Sequence, residues 1–247
     1  MRVALLADIH SNREALDACL LHAHDQRVEQ FVFLGDLVGY GADPTYVVEK
    51  VMALVRKGAI AVMGNHDAAI NAEAPLGMKG DAAIAIEWTR QQLGEAHRAF
   101  LRGLPLIARH PVSFFSHASP WAPLEWGYVS TPHDAQRSFS SIDSPLICCG
   151  HVHVQRLYHQ ADQATVGQFD PTEEMPIHLS AQRRWLVLPG SVGRPRDHRP
   201  ASCYAVFDDR TRDLTYFRIP YEHFSASEKI RAAGLPESIS NGILYGT

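Results

Sequence analysis

No stretch of this chain is long and apolar enough to cross a bilayer. The N-terminus, Met1-Arg2-Val3-Ala4-Leu5-Leu6-Ala7-Asp8, is too short and turns acidic too soon for a secretory signal. Both features lead to the expectation of a cytoplasmic protein with no membrane partner. Positive charge is not in excess either: 23 Lys and Arg stand against 27 Asp and Glu, for a formal charge of −4. A protein that coats nucleic acid by bulk electrostatics needs the opposite balance. A small anionic substrate remains admissible, because bound dications supply positive charge locally. Cysteine is scarce. Cys19, Cys148, Cys149 and Cys203 lack zinc-type spacing, and Cys148 and Cys149 are neighbours inside an apolar run, where buried free thiols are the rule. Internal repeats, low-complexity tracts and linkers are missing too. Residues 1–247 therefore read as one domain, with 221–247 as a peripheral tail.

What is present is a hydrophobic content of 46%, enough for a substantial core, and 14 histidines, a high count. Arg2 to Ala7 reads as a first strand. Ser11 or Asn12 caps the helix after it, whose apolar stripe is Leu16, Cys19, Leu20 and Ala23. Phe31 to Leu34 is a second strand, and Asp43-Pro44 begins a helix that ends at Gly58. Ala59 to Met63 is a third strand. This β-α-β-α-β opening marks a parallel layer with crossover helices. Residues 68–104 have helical composition and leave the sheet, as packing helices or a flap beside a site. Strands follow at 106–109, 112–116, 145–149, 154–158, 185–188, 202–207 and 214–219, with a short helix from Thr131-Pro132; a second sheet is expected. Residues 160–182 read as an irregular exposed loop.

The chemistry lies in five clusters, each directly after an apolar strand: Asp8-Ile9-His10, Gly35-Asp36, Gly64-Asn65-His66-Asp67, Ser116-His117 and Gly150-His151-Val152-His153. Each alone is weak evidence, since a D-x-H or H-x-H arises by chance and Gly-Asp carries almost no information. Their ordered recurrence at strand ends is different. Two Asp, four His and one Asn exceed what one ion needs. This hard-to-borderline donor set suits Mn, Fe, Zn or Ni and does not make a thiolate site. Two ions roughly 3.5–4 Å apart, bridged by one carboxylate, would use it. In extended chain, the i, i+2 spacing of Asp8 with His10 and of His151 with His153 turns each pair to one face.

In these blocks the sequence resembles the calcineurin-like metallophosphoesterases, whose pattern is D-x-H, G-D, G-N-H-[DE], a lone His and G-H-x-H. All five occur in order over residues 8–153. Pro189-Gly190-Ser191-Val192-Gly193 further resembles the small bacterial phosphodiesterase branch. The resemblance implies an α/β fold: a two-sheet β-sandwich flanked by helices, with metals at its rim. It implies Asp8, His10, Asp36 and His153 around a first metal, and Asp36 as bridge with Asn65, His117 and His151 around a second. The cofactor is then two divalent or trivalent ions, manganese being favoured among Mn, Fe, Zn, Ni and Mg. His66 becomes the catalytic imidazole with Asp67 behind it. The chain also departs from the family's protein phosphatases. Their G-D-x-V-D-R-G grips phosphate with arginine, where this chain reads Gly35-Asp36-Leu37-Val38-Gly39-Tyr40-Gly41. They also carry Glu where this chain has Asp67.

The expectation is a phosphodiesterase acting on a small nucleotide-type ester. The two ions acidify a shared water for in-line attack, and His66 protonates the leaving oxygen or stabilises its charge. Arg194 and Arg196, after the Gly-Ser loop, are candidates to grip a further phosphate. A dinucleoside polyphosphate hydrolase and a phosphomonoesterase are the enzymatic alternatives. A non-catalytic scaffold of the same fold is the alternative from another class, but such scaffolds lose the ligand set that is complete here.

Overall fold

The computed structural model describes residues 1–72, 77–161 and 165–247. The chain opens with β1 (Arg2–Leu6), α1 (Arg13–Asp25), β2 (Gln30–Phe33), α2 (Pro44–Val55) and β3 (Ile60–Ala61). The three strands pair in parallel, Val3 against Gln30 and Val32 against Ile60. Crossover helices impose that geometry, because a parallel neighbour cannot be reached by a tight turn. Asn12 caps α1 by accepting the Ala15 N–H at 3.1 Å. Pro44 opens α2 as expected, but the Asp43 side chain does not cap it; it pairs with Lys229 at 2.8 Å.

Three further helices follow, α3 (Asn65–Asn71), α4 (Asp81–Gln92) and α5 (Glu95–Arg102). Ile70, Ala85, Ile86 and Leu101 are buried in the core, so this helical excursion packs on the sheet; positions 73–76 of it lie outside the described residues. The second half supplies β4 (Ile107–His110), β5 (Ser113–Ser116), α6 (Pro132–Ser141), β6 (Leu146–Cys148), β7 (Gln155–Gln160), β8 (Val166–Phe169) and β9 (Ile177–His178). After these come β10 (Arg184–Pro189), β11 (Ser202–Asp208), β12 (Asp213–Ile219), α7 (His223–Ala232) and α8 (Glu237–Tyr245).

Two six-stranded mixed sheets result, in the orders β3-β2-β1-β11-β12-β9 and β4-β5-β6-β10-β7-β8. Period-two alternation divides their side chains between layers. Leu5, Val32, Phe115, Cys148, Trp185, Val187 and Tyr216 meet between the sheets. Ala4, Leu6 and Phe33 face the opposite way, into α1 and α2, while Ile147, Leu186 and Leu188 face α6 with Phe139. Strands buried on both faces read as continuous apolar runs, which is why they were visible in the sequence. The two-sheet sandwich flanked by helices is the architecture observed.

Two expectations are corrected. The segment 160–182 is not wholly irregular: β8 pairs with β7, Leu157 opposite Phe169, and β9 pairs with β12, Ile177 opposite Leu214. Both are outermost strands, which need only one partner and tolerate polar residues, so their alternation is faint; positions 162–164 lie outside the described residues. Nor is 221–247 a peripheral tail. Ile230, Leu235, Ile239 and Ile243 are buried in the helix-side core, each such side chain contributing about 1.5–3 kcal/mol. Lys229 ties the segment to α1 and α2 through Glu14 and Asp43.

Candidate metal centre

The five clusters meet at one rim, where β1, β2, β3, β5 and β6 all end. The ends of β1, β2 and β6 are turned sharply by backbone that non-glycine residues rarely adopt. Of the twelve non-glycine residues with positive φ among those described, seven are here: Asp8, His10, Ser11, Asp36, Tyr40, His151 and His153. Such conformations cost on the order of 1–3 kcal/mol each, and they cluster where function holds them. They also correct the i, i+2 argument. Asp8 and His10, at φ 55° and 49°, are not extended; left-handed kinks, not a flat strand face, bring them together. Gly64 is obligatory, since a Cβ there would lie 2.1 Å from Asp36 Oδ1.

Asp8, His10 and His153 converge as one group of donor atoms and Asp36, His117 and His151 as a second, while His10, Asp36 and His66 form a third that overlaps both. His10 Nε2 is 3.2 Å from His153 Nε2, and His153 Nε2 is 3.4 Å from Asp8 Oδ1. His117 Nε2 is 3.1 Å from His151 Nδ1, 3.1 Å from Asn65 Oδ1 and 3.3 Å from Asp36 Oδ2. Asp36 Oδ2 also lies 3.7 Å from His10 Nε2, between the two groups. All of these except Asn65 are almost fully buried.

The tautomers make the cluster informative. His10, His117 and His153 each use Nδ1–H to donate to a backbone carbonyl, of Val38 (3.1 Å), Leu34 (2.8 Å) and Arg194 (2.6 Å). Their Nε2 lone pairs then point inward. Two lone pairs facing at 3.2 Å cannot hydrogen-bond to each other. A cation between them removes the conflict, and atoms each ~2.1 Å from one ion are spaced ~3.0–3.4 Å apart. A metal-ligating histidine orients its ring by this same donation from the second nitrogen. The residues therefore fit metal ions.

The electrostatics agree. Burial pushes the Asp8 carboxyl up to about 7, and the neighbouring Asp36 charge adds to it. Burial opposes charge on His117, but the Asp36 carboxylate overcomes it and holds the imidazole at about 9; Asp36 is correspondingly held low. The rim attracts positive charge, whether a proton or a metal ion. Burial drives the remaining imidazoles down, His66 to about 4 and His151 to about 3, so neutral rings face the centre.

His66 differs from the three locked rings. Its Nε2 is 4.0 Å from Asp36 Oδ2, and its buried Nδ1 has no hydrogen-bond partner. The backbone N–H of His66 donates to Asp36 Oδ1 at 2.8 Å, which fixes the main chain and leaves the ring unlocked. Asp67 does not stand behind it. One Asp67 oxygen accepts the Leu37 and Val38 N–H groups at 2.9 and 3.3 Å, and the other accepts the Gly64 N–H at 2.9 Å. Successive residues on a helix do not face each other, so once α3 begins at Asn65 the two side chains diverge. Asp67 fastens the β2 and β3 loops together; it does not orient an imidazole.

Arg194 and Arg196 do reach the neighbourhood. The Arg194 guanidinium lies 3.9 Å over the Tyr40 ring, with its Nε buried and unpartnered, and Arg196 is exposed. Ser191 Oγ and Gly193 N–H both donate to the Asp8 carbonyl, at 2.8 and 2.9 Å, fastening this loop to the first cluster. Sequence reasoning missed Tyr40, whose ring packs against His10 (4.8 Å) and His66 (4.7 Å), and Tyr128, stacked on His151 at 4.2 Å. Tyr40 had a signal, since it stands where the phosphatase block carries arginine. Tyr128 had none. Outside the clusters, His22 bonds Tyr204 and His97 faces Glu49.

Comparison with known proteins agrees with this rim. Residues 1–212 match the calcineurin-like phosphoesterase superfamily domain. An uncharacterised protein of Methanocaldococcus jannaschii is 33% identical over 99% of this chain and 98% of its own length. The crystal structure of a metallophosphoesterase from Sphaerobacter thermophilus superposes with a TM-score of 0.89 at 33% identity, covering all of both chains. A hypothetical protein from Pyrococcus horikoshii OT3, at 20% identity, shares the fold with a TM-score of 0.80 over 100% of this chain and 98% of its own. With three overlapping groups of buried side chains that could hold metal at the rim of a two-sheet sandwich, and a match over most of its length, the chain belongs to the calcineurin-like phosphoesterase superfamily, hydrolases of phosphoric esters.

Proposed function

We propose that the protein is a phosphodiesterase acting on a small nucleotide-type ester, with two metal ions at the rim. The observation that carries this reading is the inward-facing set of Nε2 lone pairs around Asp36, together with a neighbouring imidazole that is not locked. Asp8, His10, Asp36 and His153 would hold one ion; Asp36, Asn65, His117 and His151 would hold the other. Manganese is our first choice for its fit to carboxylate, imidazole and amide donors. Such ions, when bound, polarise phosphoryl oxygens and make water nucleophilic at neutral pH.

The chain's own residues supply the rest. His66 is the proton donor to the leaving oxygen. Burial keeps its ring neutral in the resting site, and a phosphoryl anion placed against it favours the protonated form. Its unpartnered Nδ1 leaves the ring free to turn toward that oxygen. Arg194 lays a guanidinium on Tyr40, at the position where the phosphatase block would place its own arginine, and Arg196 lies nearby. Both are disposed to bind anionic oxygens. Location in the cytoplasm, where nucleotide esters occur, belongs to the same proposal.

The test is a screen of the purified protein against a panel of nucleotide phosphodiesters, dinucleoside polyphosphates and phosphomonoesters, each with Mn, Fe, Zn, Ni and Mg. Metal-dependent turnover of diesters, with two ions per chain by elemental analysis, is the expected result. Turnover confined to monoesters, or activity independent of metal, defeats the proposal.

A further inference from the structure

The stretch from Ser119 to Val129 forms a wall beside the second donor group, built to hold one ring in place. The Ser119 N–H donates to the Gly127 carbonyl at 2.8 Å, and the Glu125 N–H closes a turn onto Ala122 at 3.0 Å. Trp126 turns through a left-handed conformation at φ 53°, and Val129 is buried with Phe114 and Phe139 against α6. Tyr128 is thus flanked by fixed backbone on both sides. Its ring lies parallel to His151, 14° between planes and 4.2 Å between centroids, yet the residue is 51% exposed. One face covers a candidate ligand and the other is open.

The neighbouring aromatic rings are less open than Tyr128. Tyr40 is covered by the Arg194 guanidinium at 3.9 Å, Trp121 by that of Arg137 at 4.7 Å, and Trp126 is half-buried and edge-on to His117. If Tyr128 only had to keep water from His151, an aliphatic side chain would do as well. A rigid ring, parallel to the imidazole and open on its outer side, adds a surface on which a planar group can stack.

We infer that Tyr128 is a stacking platform that seats the planar base of a nucleotide ester while its phosphoryl group sits at the Asp36 and His117 cluster. The inference rests on the phosphodiesterase reading above and names the residue that makes the substrate a nucleotide.

Its test uses two diesters with the same leaving group, thymidine 5′-(4-nitrophenyl) phosphate and methyl 4-nitrophenyl phosphate, with the metal-loaded enzyme. Stacking of one base is worth about 1–3 kcal/mol, so Tyr128→Leu should raise the ratio of the two KM values by about 5–150-fold. The ratio of the two kcat values should hold, because the departing group is common. Tyr128→Phe should restore the KM ratio. Support for His151 alone would affect both esters equally, so an unchanged ratio in Tyr128→Leu overturns the platform. A calorimetric titration with thymidine 5′-monophosphate and with methyl phosphate separates this from the functional reading. If neither ester is hydrolysed with any metal, the phosphodiesterase proposal fails. The calorimetric affinity ratio still decides the platform: a matching fall in Tyr128→Leu supports it, and no change refutes it.

Discussion

Gly39→Ala disturbs His66 without altering it. Gly39 has a φ of +90°, and a Cβ there would lie 2.3 Å from His66 Nδ1, 3.1 Å from Cγ and 3.3 Å from Cε1. Ordinary contact begins at 3.4 Å, so the methyl group is too close by about 1.1 Å (3.4 less 2.3). The ring gives way and the loop does not. Asp67 grips the Leu37 and Val38 amides, and the Gly41 N–H donates to the Gly39 carbonyl at 2.7 Å, whereas Nδ1 has no bond to hold it. Displacing a reacting group by about 1 Å costs on the order of 10²-fold in rate. The left-handed backbone adds about 1–2 kcal/mol of strain for any residue with a Cβ, equivalent to about 2–8 °C in Tm for a chain of this size. The assay pairs kcat on a diester with an alkyl leaving group with elemental analysis and a thermal melt. We expect two metals retained, a Tm lowered within that range and kcat lowered about 10²-fold. The decisive comparison is the double variant. In a His66→Asn background the ring is gone, so Gly39→Ala should cost nothing further in kcat. A full additional loss there, or an unaffected kcat in the single variant, refutes the reasoning.

His66→Asn should keep both metals while lowering kcat on the order of 10²–10⁴-fold for an alkyl leaving group, and much less for nitrophenolate, which departs without a proton; equal losses for both would rule out proton donation. Asp36→Asn should lower the content of both ions, since Asp36 Oδ2 is near donors of both groups; two ions retained with full activity would remove the shared role. Asp67→Asn should act on stability, not on leaving-group dependence. An amide presents only one oxygen, so its NH₂ must face amide donors on one side, costing about 1–3 kcal/mol; a leaving-group pattern with an unchanged Tm would return Asp67 to the imidazole. Replacing Arg194 and Arg196 with alanine should raise KM for polyphosphate nucleotides more than for a simple aryl diester, and equal effects would make them part of the frame alone.

Much of the rim was legible because a strand buried on both faces announces itself as an apolar run. The residue that ends such a run stands at the sheet's edge whatever happens elsewhere. That reasoning located Asp8, Asp36, His117 and His151 without coordinates, and the order of the blocks gave the family. It was blind where pairing is weak or remote. β8 and β9 are outermost strands whose partners carry the pattern for them, and α7 and α8 bury Ile230, Ile239 and Ile243 behind polar faces that look like a tail.

What the amino-acid order determined by itself was therefore the strand-end clusters, which follow from local apolar runs, and the motif order whose resemblance implied the candidate donors and the sandwich that presents them. How the donors converge was decided in three dimensions. Left-handed backbone at Asp8, His10, Asp36, His151 and His153 is stable only because neighbouring loops fix it, and no local propensity predicts it. Tertiary contacts also sent Asp67 to the Leu37, Val38 and Gly64 amides, placed Arg194 on Tyr40 across more than a hundred residues, and laid Tyr128 on His151. These partners are distant in the chain, and only the packing of both sheets brings their side chains within reach.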